Sequence, residues 1–379
     1  MRITFIRSST NAVGEYRVNH PKKALEALGH ECSLYTLDKT PQRVSAAELV
    51  GDLLVLARQT SDAVFDLLEQ MPAELRPKTV YELDDNPWEM HSWDSVHREL
   101  GAEYGQRVSG VIARCDAVTC STPTLAARIR KKFAAKPMWV VPNAIDYQFR
   151  DWERREDRVD HQLEDKLVLG WTGSCHHGRD GSVMIQALPT IFDAYPEVVF
   201  LMQCDPTVYR EWTAPLKKYE DRLRWAPPVA FGDHPAIYSL FDVNLAPLEA
   251  TKFNVCKSDL KLIEGGAHGV PYVASRIAPY QEFHRQSDGI GGHLASTKGD
   301  WVRGIAELLD GERDARGQSL ARYVRETRAL SVVAGQWQNV YQSILTEGTG
   351  EQIAAVETVG RNAPCPCNSG LKTKRCCER

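Results

Sequence analysis

Residues 253–275, FNVCKSDLKLIEGGAHGVPYVAS, read as a helix that hands the chain straight to a strand. Ser258 is placed to cap the helix, and Leu260 and Ile263 fall on one face of it. The Gly269-Val270-Pro271 break ends it, and PYVAS supplies the apolar run that follows. A helix N-terminus offers unpaired N–H groups and a positive dipole end to a phosphate-bearing ligand. Lys257, just ahead of it, adds a point charge, and Glu264 can accept two hydroxyl hydrogen bonds from a sugar ring such as ribose. The alternative is a surface helix carrying a solvated lysine and glutamate.

The same alternation runs through the rest of the chain. RITFIRS, DLLVLAR, KTVYELDD, DAVTCST and MWVVPNA are short apolar runs in the first part. LVLGWTGS, EVVFLMQC, RLRWAPPV, DVNLAPL and PYVAS form a second series. Amphipathic segments lie between them, such as PKKALEALGH, whose Ala24, Leu25 and Leu28 keep helical spacing up to Gly29. Strands separated by helices imply parallel βαβ units around buried sheets. Between the two series lies the charged stretch IDYQFRDWERREDRVDHQLEDK, which has no apolar face. The organisation expected is α/β: two Rossmann-like doubly wound domains with a cleft between them, covering residues 1–148 and 149–346. A linker at 347–360 and a small tail at 361–379 follow. The helices around SLARYVRETRAL and VVAGQWQNVYQSIL are expected to cover the domains or to cross back between them.

The chain has 379 residues, 43% hydrophobic and 25% charged, enough for two buried cores. Its formal net charge of −4 gives no global basic field that would draw a polyanion. MRITFIRSST is too short and too interrupted by Arg2 and Arg7 for a signal peptide, and no apolar run reaches bilayer length, so a soluble, cytoplasmic protein is expected. Six of the ten cysteines (Cys32, Cys115, Cys120, Cys175, Cys204, Cys256) are scattered, as buried thiols are in a reducing compartment.

The other four crowd the tail, NAPCPCNSGLKTKRCCER, as Cys365-x-Cys367, eight residues, then Cys376-Cys377. So short a segment cannot hold itself by burial. Four thiolates can close a tetrahedral zinc site, with Lys372, Lys374 and Arg375 offsetting its charge. Adjacent cysteines at 376 and 377 are poorly disposed to bridge each other. A flexible, redox-labile tail is the alternative. PCPCNSGLKTKRCC resembles the SEC-C zinc motif known from the tail of the bacterial preprotein translocase ATPase. The likeness implies a structural Zn²⁺ held by Cys365, Cys367, Cys376 and Cys377, and a docking module for a protein or nucleic-acid partner.

In the body, G-x-G-x-x-G is absent after the first strand, and G-x-x-x-x-G-K-[ST] occurs nowhere. Gly14, in STNAVGEYRV, allows close approach of a ligand, or is an ordinary strand-to-helix turn. In LGWTGSCHHGRDG, Gly173 and Ser174 follow a strand where backbone amides can meet a phosphate, and His177 and Asp180 are near enough to join them; simple loop histidines are the other reading. In VYELDDNPWEMHSWD, Asp84 and Asp85 reach the end of a strand near Trp88 and Trp93. There a carboxylate can orient or deprotonate a hydroxyl and a ring can stack on a sugar or base. A capping Asp beside core tryptophans is the alternative.

EGGAHGVPYVAS, with GWTGSCHHGRD, FNVCKS, GEYRV and ALGHE, resembles the GT-B glycosyltransferases, in particular the retaining group with an E-x7-E motif, over residues 1 to 345. The resemblance implies a nucleotide-sugar donor whose ribose meets Glu264 and whose phosphates meet Gly173 and Ser174, with Lys257 neutralising the leaving diphosphate. The first glutamate of E-x7-E would fall at 256, where this chain has Cys256. Sugar leaves its diphosphate through an oxocarbenium-like state, so negative charge builds on the leaving group. No D-x-D pair is present to bind a metal there, and lysine and helix amides have to serve. The function expected is metal-independent, retaining transfer of a sugar to a hydroxyl acceptor: a glycan, a protein, a small molecule or a modified base in DNA. The alternative is a catalytically inactive glycosyltransferase-like adaptor that works through its zinc tail.

Overall fold

The computed structural model describes residues 1–8, 12–36, 44–90, 101, 103–148, 156, 161–174 and 177–346. The chain divides into two compact units. Among the described residues, one comprises Met1–Ala144, Cys256–Ser258 and residues 330–346; the other comprises Ile145–Val255 and Asp259–Ala329.

The first unit is a six-stranded parallel sheet of β1 (Arg2–Arg7), β2 (Glu31–Thr36), β3 (Leu53–Ala57), β4 (Lys78–Leu83), β5 (Ala117–Cys120) and β6 (Met138–Val140), in the order β2-β1-β3-β4-β5-β6. Its helices are α1 (His20–Ala27), α2 (Ala63–Glu69), α3 (Tyr104–Arg114) and α4 (Pro123–Lys132). β3, LLVLA, is buried at every position, as a strand covered on both faces must be. α1 closes at Gly29, whose φ of +84° is the left-handed conformation that glycine adopts without a Cβ penalty.

The second unit repeats the plan. β7 (Leu167–Gly173), β8 (Val198–Cys204), β9 (Leu223–Ala226), β10 (Val243–Ala246), β11 (Tyr272–Ser275) and β12 (Gly292–Ala295) form a parallel sheet in the order β12-β11-β10-β7-β8-β9. Helices α5 (Ser182–Ala194), α6 (Pro206–Thr213), α7 (Leu260–Ala267), α8 (Ala278–Gln286), α9 (Lys298–Glu307) and α10 (Arg313–Arg328) belong to it. The strand order reverses between β7 and β10, and an open parallel sheet receives ligands beyond the carboxyl ends of its strands at such a point.

Two boundaries differ from the sequence reading. Helix α11 (Leu330–Leu345) does not close the second unit. Its Leu330, Val333, Ala334, Trp337, Tyr341 and Ile344 pack into one core with Ile3, Phe5, Val18 and Leu25 of the first. The second unit begins at Ile145 rather than 149, because the Ile145 amide donates to the Arg328 carbonyl at 2.8 Å and pairs with Ala329. The charged stretch read as a connection also has an apolar anchor: Leu163 is buried in a core with Val168, Leu240 and Val270. Among the described residues, no helix is long and apolar enough to cross a membrane.

Candidate functional site

Chemistry-bearing side chains gather at the carboxyl edge of each sheet. In the second unit, Gly173 ends β7 against Trp171 and His177: a Cβ added there would lie 2.5 Å from the Trp171 ring and 3.0 Å from His177 Cδ2. Only glycine therefore lets the chain turn at this edge without displacing a buried tryptophan. Ser174 follows, exposed. His177 Nδ1 lies 2.6 Å from Asp180 Oδ2.

Lys261, in the first turn of α7, donates to the Thr172 carbonyl, and its ammonium lies 5.4 Å from the centre of the Trp171 ring. It is a cation beside the Gly173 turn. The sequence reading favoured Lys257 instead; the signal for Lys261 was its place three residues before Glu264, on the same helix face.

Glu264 is buried, with 4% exposure. Its Oε2 accepts the Tyr238 hydroxyl at 2.8 Å and lies 4.0 Å from His234 Nε2, while His234 Nδ1 meets Gln203 Oε1, at the end of β8, at 3.2 Å. Burial holds the imidazole of His234 below its usual range, outweighing the pull of Glu264. Burial together with Glu264 raises the Tyr238 hydroxyl well above its usual range, so it stays a donor. Tyr238, His234 and Gln203 escaped the sequence reading, because nothing in local spacing joins a short turn at 234–240 to a helix at 260–267.

Small residues explain how α7 reaches this position. A Cβ at Gly265 would lie 2.6 Å from Asn244 Nδ2 of β10, and one at Gly266 would lie 2.7 Å from Val324 of α10. The GG of IEGGAHG is thus a packing requirement on two sides of the helix. Gly269, with φ +73°, terminates it.

Ser258 does not cap α7. Asp259 occupies the N-cap position without a side-chain cap hydrogen bond, its carboxylate instead taking Arg328 Nη2 at 2.8 Å. Ser258 Oγ accepts from Asn143 Nδ2 at 3.0 Å, within the first unit. Lys257 also belongs to the first unit, where its Nζ lies 3.6 Å from Asp85 Oδ1. The thiol of Cys256 accepts from Asn86 Nδ2 at 3.7 Å, and its carbonyl accepts the Thr122 hydroxyl at 3.0 Å. Burial pushes that thiol up to about 12, against the opposing pull of Arg128 and the Asn86 hydrogen bond. It stays protonated and cannot supply the negative charge a glutamate would bring to this position.

At the carboxyl edge of the first sheet, Arg58 adopts φ +51°, a strained conformation for a side-chain-bearing residue. Its guanidinium reaches both Asp84 and Asp85. Burial raises the Asp84 carboxyl in spite of Arg58. Burial acts the same way at Asp85, but Lys257 and Arg58 outweigh it and bring that carboxyl to about 2. Two adjacent acids are thus driven apart, Asp84 upward and Asp85 downward. Trp88 is a packing residue here, donating Nε1 to the Gly105 carbonyl and Ser109 Oγ, each at 2.9 Å, with Lys132 over its ring. Gly14 is buried with φ −59° and ψ −33°, an ordinary helical turn. Trp93 and the four tail cysteines, Cys365, Cys367, Cys376 and Cys377, lie outside the described residues.

Comparison with known proteins follows these divisions. Residues 361–379 match the SEC-C motif. Over 220 residues the chain is 23% identical to "Putative teichuronic acid biosynthesis glycosyltransferase TuaH" of Bacillus subtilis, a match covering 50% of this chain and 52% of that protein. The chain thus spans about half the length of that curated relative. Sucrose-phosphate synthase of Thermosynechococcus elongatus superposes with a TM-score of 0.67 at 13% identity, covering 91% of this chain and 99% of its own. Anabaena Alr3699/HepE in complex with UDP gives 0.63 at 13% identity, covering 90% and 100%. The chain therefore has the fold of the GT-B glycosyltransferases, two parallel-sheet Rossmann-like domains, and it ends in a SEC-C motif.

Proposed function

We propose that the protein is a glycosyltransferase that moves a sugar from a nucleoside diphosphate sugar to a hydroxyl acceptor, with retention of configuration and without a catalytic metal. The observation that carries this reading is the edge of the second sheet, where a buried, tyrosine-held Glu264 and the Lys261 ammonium share one helix face beside the Gly173 turn. Glu264 binds the ribose hydroxyls. The amides at Gly173 and Ser174, with Lys261, meet the diphosphate and stabilise the charge that grows on it as the glycosidic bond breaks. Asp84 orients the acceptor hydroxyl, and its raised carboxyl can take the proton released on transfer.

The Anabaena neighbour was solved with UDP and with UDP-glucose, so a uridine donor is the first to test. The decisive experiment is a thermal-shift screen against UDP-, ADP- and GDP-sugars, followed by assay of the stabilising donor for nucleoside diphosphate release. Binding only to the native state raises the transition. Stabilisation by one nucleotide sugar with release supports the reading; no shift with any of them overturns it.

The tail is proposed to hold a structural zinc. Cys365, Cys367, Cys376 and Cys377 are a soft, four-thiolate set of the kind that closes a tetrahedral site with no position left for substrate. It would serve as a docking module in the cytoplasm for a protein or nucleic-acid partner. Truncation after residue 360 is expected to remove about one zinc per chain, measured by metal analysis, with the thermal transition of the body unchanged. Zinc retained by the truncated chain rules the assignment out.

A further inference from the structure

Asp180 is engaged more deeply than a loop carboxylate waiting for a ligand. Its Oδ2 holds His177 Nδ1 at 2.6 Å, while Oδ1 accepts from the Glu249 amide and from Asn254 Nδ2, each at 2.9 Å. Asn254 Nδ2 also donates to the Glu249 carbonyl at 3.0 Å. The carboxylate is 8% exposed. Its donors come from two loops, one following β7 and one following β10, the two strands at which the sheet order reverses. A group so occupied acts on a ligand through the ring it holds.

We propose that Asp180 is a positioning residue that fixes the ring of His177, so that the imidazolium Nε2–H donates to a non-bridging oxygen of the donor's diphosphate. The inference rests on the donor site proposed above and assigns one of its contacts. A ring held by a carboxylate keeps its proton at Nδ1. When neutral it has only a lone pair at Nε2, which repels a phosphate oxygen; when protonated it has a donor there. Capture of the anion therefore requires the charged ring. The charged groups around it are Asp180 and Arg179 on its own turn and Lys261 of α7, whose ammonium covers the Trp171 ring that meets His177 edge-on at 5.9 Å. Glu211 of α6, against Gly178, and Glu249 on the loop after β10 lie close by among the described residues.

The test is calorimetric titration of the full-length chain with UDP between about pH 5.5 and 8.5, the range that spans imidazole titration. In the wild-type protein, affinity is expected to fall about tenfold across that range, the effect of losing one charged hydrogen bond. His177→Ala should bind about tenfold more weakly at the acid end and lose this fall. Asp180→Asn keeps an oxygen for Glu249 and Asn254 but turns an amide N–H toward Nδ1, which moves the ring proton to Nε2. Its profile should lack this fall and keep only the rise that UDP ionisation brings, matching or exceeding the wild type at alkaline pH. Ionisation of UDP's terminal phosphate has the opposite sign and is common to all three proteins, so the differences isolate the ring. A pH-dependent fall that survives in His177→Ala, or a uniform loss at every pH in Asp180→Asn, overturns the inference and leaves nucleotide binding standing. UDP that fails to bind the wild type at any pH overturns both.

Discussion

Arg17→Met is expected to destabilise the first unit by about 3–5 kcal/mol, because it strands a buried carboxylate. Arg17 and Glu82 are each 1% exposed, with Arg17 Nε 2.8 Å from Glu82 Oε1. Arg17 Nη1 also donates to the Val141 carbonyl at 2.8 Å and to Asn143 Oδ1 at 3.0 Å, and the guanidinium lies 5.0 Å from the centre of the Trp337 ring. Without it, Glu82 still accepts the Thr119 hydroxyl at 2.6 Å, a neutral donor that does not balance its charge in the core. Burial already pushes the Glu82 carboxyl from its ordinary 4.5 up to about 7 against the pull of Arg17. A carboxyl raised in the folded state holds a proton that the unfolded chain releases, so stability is lost as pH rises from the unfolded value through the folded one. Losing Arg17 raises the folded value further. The destabilisation should therefore be smaller near pH 5 and larger near pH 8, as read by urea unfolding. Adding Glu82→Gln should recover much of the loss. An Arg17→Met protein of wild-type stability at alkaline pH would show that the pair does not hold the core.

Glu264→Ala is expected to reduce donor turnover by on the order of a hundredfold or more, since two hydrogen bonds to a charged group are removed together. It should also cost about 1–3 kcal/mol of stability, because the Tyr238 hydroxyl loses its acceptor in the interior. That second effect makes alanine a poor discriminator on its own. Glu264→Gln keeps an oxygen for Tyr238 and removes the charge, so its fold should survive while UDP affinity falls. Tyr238→Phe should lower affinity less, through a loosened carboxylate. If Glu264→Gln binds UDP as the wild type does, the carboxylate is a packing partner of Tyr238 and the ribose assignment fails.

Among the described residues, ten of the twelve strands coincide with apolar runs in the sequence, and the reason the other two do not is physical. β2, ECSLYT, and β12, GHLA, are edge strands, and neither shows an uninterrupted apolar stretch. Buried central strands such as β3 and β8 announce themselves because both faces must be apolar. The site was legible in proportion to how local it is. Glu264, Gly173 and the His177–Asp180 pair, which the structure places at the carboxyl edge of the second sheet, stood out as candidates from their place after a strand or on a helix. Lys257 could not be told from Lys261 by position alone, because the choice depends on Asp85, far away in the sequence. Arg58 gave no sign at all: its role comes from a left-handed backbone that sequence pattern does not reveal.

The return of α11 to the first unit sets an order on how the molecule is made. The apolar positions of α11 complete a core begun by Ile3 and Phe5, so that core cannot close until the chain has been made through residue 345. Ile145–Val255 and Asp259–Ala329 emerge before that helix does, and domains fold as units during synthesis. The second unit is therefore expected to complete its fold before the first, whose core closes only once α11 has been made.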